Sequence, residues 1–382
     1  MIKNRRTFNE FQYTVPSPSS YPYQWFWDSC FHAIILSYFN MEDAKKEILS
    51  VVSKQFENGL IPHMIYWERG ELINIDWGKQ DTSTITQPPV IGHAVWHIFS
   101  KDQDKRFLES LYLSLKKFTN YLLSQRDPRG HNLIGIINPD ESGEDDSPRF
   151  DIPLELDPKH TKEVNFNRRL HLVKQNLVCN FDAPFCMKNF FWVKDVPFNV
   201  IMIDHLSYMT KIALEIGMHE DANHFLYHAD LIKDAMRKLM FEDGVFYSTY
   251  GQDYKKIKVL SWAILAPLFA NLYTKQEAET LIEKHFLNED EFNLKYVVPT
   301  VAKSEASFDP KGFWRGPVWM AINWFVYKGL ANYGLVELAE KVKQSSIQLL
   351  EHSGFRENYN PLTGEGGGAE EFTWGGLIID MN

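Results

Sequence analysis

The chain has 382 residues, of which 44% are hydrophobic and 24% charged, the composition of a folded globular protein. A formal net charge of −10 argues against a nucleic-acid partner, and no run of 18 apolar residues is available for a transmembrane helix, so no membrane partner is expected. Aromatic residues reach 14%, with 11 Trp, more than a core needs, which points to a surface for flat apolar faces such as sugar rings and to a small-molecule ligand.

Residues 1–20 read as an irregular lead-in ending in the turn-rich PSPSS. The opening MIKNRRTFNEFQYTV is basic but lacks the apolar run of a secretory signal. In YPYQWFWDSCFHAIILSYF, Phe31, Ile34, Ile35 and Tyr38 keep helical spacing, and Asp28 or Ser29 can cap the start. A second helix is predicted from about 41 to 56 on Met41, Ala44, Ile48 and Val51, with Gly59 and Pro62 ending the pair. Residues 62–84 read as a mixed loop holding Trp67 and Trp77. Pro88 and Pro89 open a helix carrying Ile91, Ala94, Val95 and Ile98, and another follows on Phe107, Leu111, Leu115, Phe118 and Leu122.

From Asn138 to Asp151 the chain reads NPDESGEDDSPRFD, six carboxylates in fourteen residues with no hydrophobic period. Long acidic loops of this kind are either solvated or functional. It is not a calcium-binding EF-hand, because no Gly stands sixth from Asp140. Residues 151–192 have weak periodicity and a basic run, NRRLHLVK, and receive no assigned structure. From Val193 helices resume, first on Val196, Val200, Ile203, Leu206, Met209 and Ile216, then on Phe225, Ala229, Ile232, Met236 and Leu239. A third is predicted over roughly 257–270, and a fourth after the capping box Thr274-Lys-Gln-Glu277. Trp319, Ile322, Val326 and Leu330 open the next, paired with one on Leu335, Leu338, Val342 and Leu349, and a Gly-rich loop and a short apolar segment, 372–381, close the chain.

About ten or eleven helices met in pairs, with almost no alternating pattern, fit an all-α fold, an (α/α)6 barrel or six-hairpin toroid with long loops capping one end. The expectation is a single domain over residues 1–382 with an irregular insertion near 151–192. No fixed repeat of 34 or 40 residues is visible, which weighs against a solenoid. If alternate loops share one rim, they gather Tyr21, Trp25, Phe26, Trp27 and Asp28, then Gln87, the acidic run, Phe313, Trp314 and Arg315, and finally Glu357, Tyr359 and Asn360. Two carboxylates facing across a pocket with aromatics between them suit glycoside hydrolysis. One protonates the leaving oxygen, and the other attacks the anomeric carbon or deprotonates a water.

Each piece has a plainer alternative. The tryptophans at 25 and 27 could be core, and Arg315 could serve a structural ion pair. His93 and His97 lie one helical turn apart but lack a third ligand and an H-E-x-x-H motif, so no metal is expected. Gly364 to Ala369 fits G-x-G-x-x-A but follows no strand, so no dinucleotide cofactor is expected, and the glycines read as places where backbone comes close to a pocket. Cys30, Cys179 and Cys186 are odd in number and form no C-x-x-C, which points to a reducing compartment and a cytoplasmic location. A homo-oligomer is left open.

The ordered motifs YQWFWDSCFHA, TQPP, ESGEDDSPRFD, FWRGPVW and ENYNPLTGEG ending in FTWGG resemble those of glycoside hydrolase family 63 over about residues 21 to 380. They look most like its single-domain members, the mannosylglycerate and glucosylglycerate hydrolases, with weaker versions in trehalases and in the glucosidase part of glycogen debranching enzymes. The resemblance implies an (α/α)6 barrel and an inverting hydrolysis of α-glycosides without metal chemistry. Carried onto this chain, it makes Asp145 the general acid, following Ser142-Gly143-Glu144, and Glu357 the general base. The family often has Asn at the next position, where this chain has Asp146, so Asp146 is the rival acid. Tyr21, Trp25, Phe26, Trp27, Asp28, Gln87, Gly143, Phe313 and Trp314 match positions that hold the sugar in the family.

The expected activity is therefore inverting hydrolysis of a small α-glycoside, with mannosylglycerate or glucosylglycerate preferred because the motifs begin about twenty residues in and leave no room for the N-terminal β-sandwich of larger relatives. An acidic aglycone needs a cation, for which Arg168 or Arg169 is the candidate. The alternative is an α-glucosidase or trehalase-like enzyme on neutral oligosaccharides. A sugar isomerase ranks lower because no His lies in either carboxylate motif, and an inert sugar-binding protein because both carboxylates are intact.

Overall fold

Apolar spacing sets the helices. The computed structural model describes residues 1–68 and 75–382, so residues 69–74 of the expected 62–84 loop lie outside the described residues. Eleven α-helices are present among the described residues. They are α1 (Phe26–Leu36), α2 (Met41–Val52), α3 (Ile91–Asp102), α4 (Lys105–Gln125), α5 (Lys162–Val178), α6 (Ala183–Asn189), α7 (Val196–Glu215), α8 (His219–Leu239), α9 (Lys275–Leu281), α10 (Met320–Asn332) and α11 (Val336–Ser353). The capping box at Thr274 and Glu277 starts α9, with both reciprocal hydrogen bonds made.

Two kinds of helix separate by burial. Every residue of α1 is buried, as is α10 from Met320 to Tyr327. A helix apolar all round belongs inside. Helices α4, α8 and α11 bury only one face, as amphipathic outer helices do. The inner elements touch in sequence: α1 packs on α3, α3 on α7, α7 on the 3₁₀ turn Ala266–Leu268, that turn on α10, α10 on the 3₁₀ helix Thr373–Asp380, and the last on α1 again. Helices α2, α8 and α11 pack on α1, α7 and α10 from outside. The larger of two apolar clusters runs through the ring, from Tyr13 to Met381, and a smaller one gathers Trp77, Ile137 and Trp192.

Several expectations need correction. Residues 1–20 are not simply irregular, because Arg5–Phe8 and Phe11–Thr14 pair as an antiparallel hairpin. It is held to α2 by Arg5 and Thr14, which both bond the buried Glu47 at 2.7 and 2.8 Å. The helix expected over 257–270 is replaced by two 3₁₀ turns, Trp262–Ile264 and Ala266–Leu268, because Pro267 has no N–H for an α-helical bond. Residues 151–192 carry α5 and α6. Neither Asp28 nor Ser29 caps α1, whose N-cap is Trp25. The Gly-rich tail is a hairpin of Arg356–Tyr359 with Gly366–Glu370.

The acidic loop is built on two 3₁₀ turns, Pro139–Ser142 and Pro148–Phe150, and is pinned by buried arginines. Arg126 grips Glu141 through both oxygens at 2.6 Å. Arg149 holds Glu144 at 3.0 and 3.1 Å and reaches Asp195 at 2.9 Å, while the Trp262 indole donates to Glu144 at 2.8 Å. Arg315 clasps Asp151 at 3.0 and 2.6 Å. No helix of the described residues is long and apolar enough to cross a membrane.

Breaking one partner of such a fully buried pair leaves a bare charge, at a cost of about 3–5 kcal/mol. Arg149→Met is therefore expected to lower the unfolding free energy by about that amount in urea titrations. A loss well under about 1 kcal/mol would show that Glu144 and Asp195 do not depend on it.

Candidate active site

The loops that precede the inner helices meet at one cavity of about 130 Å³. Its lining comes from just before α1 (Tyr21, Trp25), before α3 (Gln87), from the acidic loop (Asp140, Gly143, Asp145), before α10 (Phe313, Trp314) and before the last 3₁₀ helix (Glu357). Ten of the eleven expected site residues line it, Trp27 and Asp28 included. Phe26 does not. It is 1% exposed and packs edge-on to Phe118, because consecutive helical residues point about 100° apart and only its neighbours turn to the cavity.

Glu357 is held from two sides. The Tyr21 hydroxyl donates to its Oε1 at 2.6 Å and the Ala369 N–H to its Oε2 at 2.7 Å. Burial raises its pKa above the usual carboxylate range, and these two donors oppose the rise. The backbone at Gly368 passes so close that a Cβ there would stand 2.1 Å from Glu357 Oε2, and its φ of +63° is one that only Gly adopts freely. The Gly-rich tract is thus what lets the hairpin lie against this carboxylate.

Asp145 sits on the acidic loop, between its two 3₁₀ turns. Burial, the largest cause, pushes its pKa up to about 7; Arg169 pulls it down, and Asp140 and Asp146 push it further up. The like charge of Asp146 is therefore a lesser influence than burial. Asp146 itself does not line the cavity, and its backbone carbonyl accepts from Arg315. Gly143, at φ +73°, admits the Trp27 ring, which a Cβ would meet at 2.3 Å.

Asp28 is buried, accepts from the Trp374 indole at 2.7 Å, and is raised to about 7 by burial. Gln87 Oε1 accepts from the Trp27 N–H at 3.2 Å. Trp314 stacks on Trp319 at 3.7 Å, and Trp374 stands edge-on to Trp27 at 5.1 Å. Trp319, Phe372 and Trp374 line the cavity without having been singled out, as do Pro16 and Asp140. The signal for the three aromatics was present, since they lie in FWRGPVW and FTWGG.

The expected aglycone cations divide. Arg168 bonds Leu154 O and Glu155 and lines a separate depression. Arg169 stands 2.7 Å from Asp145. His93 pairs with Asp204 at 3.1 Å, and among the described residues no group of three His, Cys, Asp or Glu is arranged to hold a metal.

A carboxyl raised toward neutrality, a second carboxylate on the same cavity and walls of stacked indoles make a site suited to breaking glycosidic bonds. Comparison with known proteins agrees. Residues 21–375 match the mannosylglycerate hydrolase MGH1-like glycoside hydrolase domain. A mannosylglycerate hydrolase of Thermus thermophilus is 32% identical, over 96% of this chain and 95% of that one. The glucosylglycerate hydrolase of Mycolicibacterium hassiacum is 27% identical, over 94% and 92%. The crystal structure of a family 63 mannosylglycerate hydrolase from a second strain of Thermus thermophilus, in complex with Tris and D-glycerate, superposes with a TM-score of 0.90 at 29% identity, covering 100% of this chain and 97% of that one. The protein is a hydrolase of glycosidic bonds. It belongs to the MGH1-like family within glycoside hydrolase family 63.

Gly368→Ala is expected to displace Glu357 and lower kcat about 100-fold, the scale set by a misplacement near 1 Å. The strained φ adds a stability loss of about 1–3 kcal/mol. Steady-state kinetics beside thermal melts check both; unchanged kcat would show that this backbone does not position Glu357.

Proposed function

We propose that the enzyme hydrolyses a small α-glycoside with inversion, Asp145 acting as general acid and Glu357 as general base. One observation carries this reading: the two carboxyl groups open on the same indole-walled cavity. Asp145 protonates the glycosidic oxygen as the bond to the anomeric carbon breaks. Glu357 takes a proton from a water that attacks from the opposite face. A wider cleft of about 350 Å³ shares Glu357 and Phe313 with the cavity and gives water a route to the base. Tyr21 and Ala369 hold Glu357 in place, while Asp28 and Gln87 accept from sugar hydroxyls and Trp27 and Trp314 meet the ring faces.

The preferred substrates are mannosylglycerate and glucosylglycerate. The small volume of the cavity favours them over long neutral oligosaccharides, and Arg169, paired with Asp145, is the nearer of the two candidate cations for a glycerate. The cyclic packing of the inner elements supports an (α/α)6 barrel as one domain over the whole chain. The three free cysteines fit a cytoplasmic enzyme.

Hydrolysis of a panel of α-mannosides and α-glucosides with acidic and neutral aglycones, followed by NMR, tests the reading. The β-anomer is expected as first product, with glycerate-bearing substrates favoured; an α-anomer first would overturn inversion. Asp145→Asn and Glu357→Gln are each expected to lower kcat by about 10²–10⁴-fold. Replacing Arg168 and Arg169 together with no change in selectivity for glycerate would remove them as aglycone contacts.

The pH profile has a defined sign. The acid must be protonated, so activity falls as pH rises through about 7, the value for Asp145. The base must be ionised, so activity falls as pH drops through the raised value of Glu357. A plateau extending well above pH 8 would contradict the assignment of Asp145.

A further inference from the structure

Arg169 lies on the inward side of α5, in the stretch that sequence periodicity leaves unassigned. Its Nε donates to Asn165 Oδ1, one turn earlier on the same helix, at 2.8 Å, which fixes the plane of the guanidinium. A single nitrogen, Nη1, then serves two carboxylates at once. It donates a hydrogen bond to Asp140 Oδ1 at 2.7 Å and forms an ion pair with Asp145 Oδ2 at the same distance. Asp140 is itself fixed by the 3₁₀ turn it sits in, where its N–H bonds the Asn138 side chain at 3.0 Å, and its Oδ2 is buried without a partner among the described residues. Both carboxylates line the cavity; Arg169 stands behind them. The arginine side chain is 12% exposed and that of Asp145 22%.

We propose that Arg169 is a positioning residue for the Asp145 carboxyl, and that Asp140 limits its hold by competing for the same nitrogen. This rests on the reading of Asp145 as the general acid. A lone arginine on a general acid would keep it ionised and idle, since an adjacent cation favours the charged form. No cation there would leave the carboxyl free to turn and to stay protonated. Sharing Nη1 with Asp140 gives an intermediate state: the acid is oriented by the ion pair, yet the cation's charge is largely spent on its neighbour. Burial does the rest, which is why Asp145 titrates near neutrality with an arginine beside it.

The other charged groups facing Asp145 are few. Asp146 adds a like charge, itself offset by Arg315 and His160, and the Tyr21 hydroxyl, bonded to Glu357, feels both carboxylates. Asp140 also faces His63, which burial keeps neutral at ordinary pH. None of these can substitute for Arg169 as the cation.

The test uses the two partners in opposition. The alkaline limb of kcat/KM is measured on mannosylglycerate, or on the panel glycoside that the wild type hydrolyses best, and reports the acid in the free enzyme. Arg169→Gln removes the cation and should move that limb up by about one pH unit. Asp140→Asn removes the competitor, gives Asp145 the whole of Arg169, and should move it down by about as much, with activity at pH 7 falling accordingly. Arg169→Lys keeps the charge and should stay near the wild-type limb. Opposite displacements support the proposal, because a merely structural arginine would lower both variants' activity without moving their limbs apart. Limbs that coincide, or move the same way, overturn it, and Asp140→Asn alone decides should Arg169→Gln not fold. An active Asp145→Asn would be a different failure, one of the acid assignment.

Discussion

Burying like charges together is the constraint this molecule has to meet. Six carboxylates crowd the loop from Asn138 to Asp151, and in a low-dielectric setting they would protonate or drive the loop apart. Three buried arginines prevent it: Arg126 takes Glu141, Arg149 takes Glu144 together with Asp195, and Arg315 takes Asp151. Each pair is buried, so its value lies in fixing geometry more than in net stability. The clamps come from the residue that ends α4, from the loop itself and from the segment before α10, so the loop ties distant parts of the ring together. What remains at the cavity is Asp145 with Asp140 and a shared arginine.

Chemistry follows from that arrangement of charge. Burial raises Asp145 toward neutrality, so on the proposed mechanism a carboxylic acid is available where a leaving oxygen needs a proton. Glu357 is reached by two hydrogen-bond donors that favour its charged form. Two carboxyl groups of one type are thus given different partners, and partners distinguish an acid from a base. The indoles lining the same cavity add flat, stiff walls, themselves locked by stacking and by the Trp374 to Asp28 hydrogen bond.

Much of this is legible in the sequence, and the exceptions have physical reasons. Helices with a clear apolar stripe, such as α4 and α8, are read correctly because their burial is one-sided. Helix α5 escapes because only Asn165, Leu172, Val173 and Asn176 are buried along its seventeen residues, too few and too polar to show a period. The stretch 257–270 misleads in the other direction, its apolar residues spaced like a helix but interrupted by Pro267. At the site, motif residues carry Asp145, Glu357 and most of the lining. Phe26 is included although it packs on Phe118 and does not line the cavity, because a motif does not say which way each side chain turns. Arg169 is seen only as a loose candidate for the substrate, since its pairing with Asp140 spans 29 residues and two elements that local patterns do not connect.

The central claim is that Asp145 and Glu357 face one sugar from opposite sides. The crystal structure of the Asp145→Asn variant with bound mannosylglycerate tests it most directly. The account predicts the sugar ring between Trp27 and Trp314, the glycosidic oxygen in hydrogen-bond reach of residue 145, a water on Glu357 at the far face of the anomeric carbon, and about 6.5–9.5 Å between the two side-chain carbonyl carbons. A sugar bound elsewhere, or a separation near 5 Å with no room for that water, would contradict it.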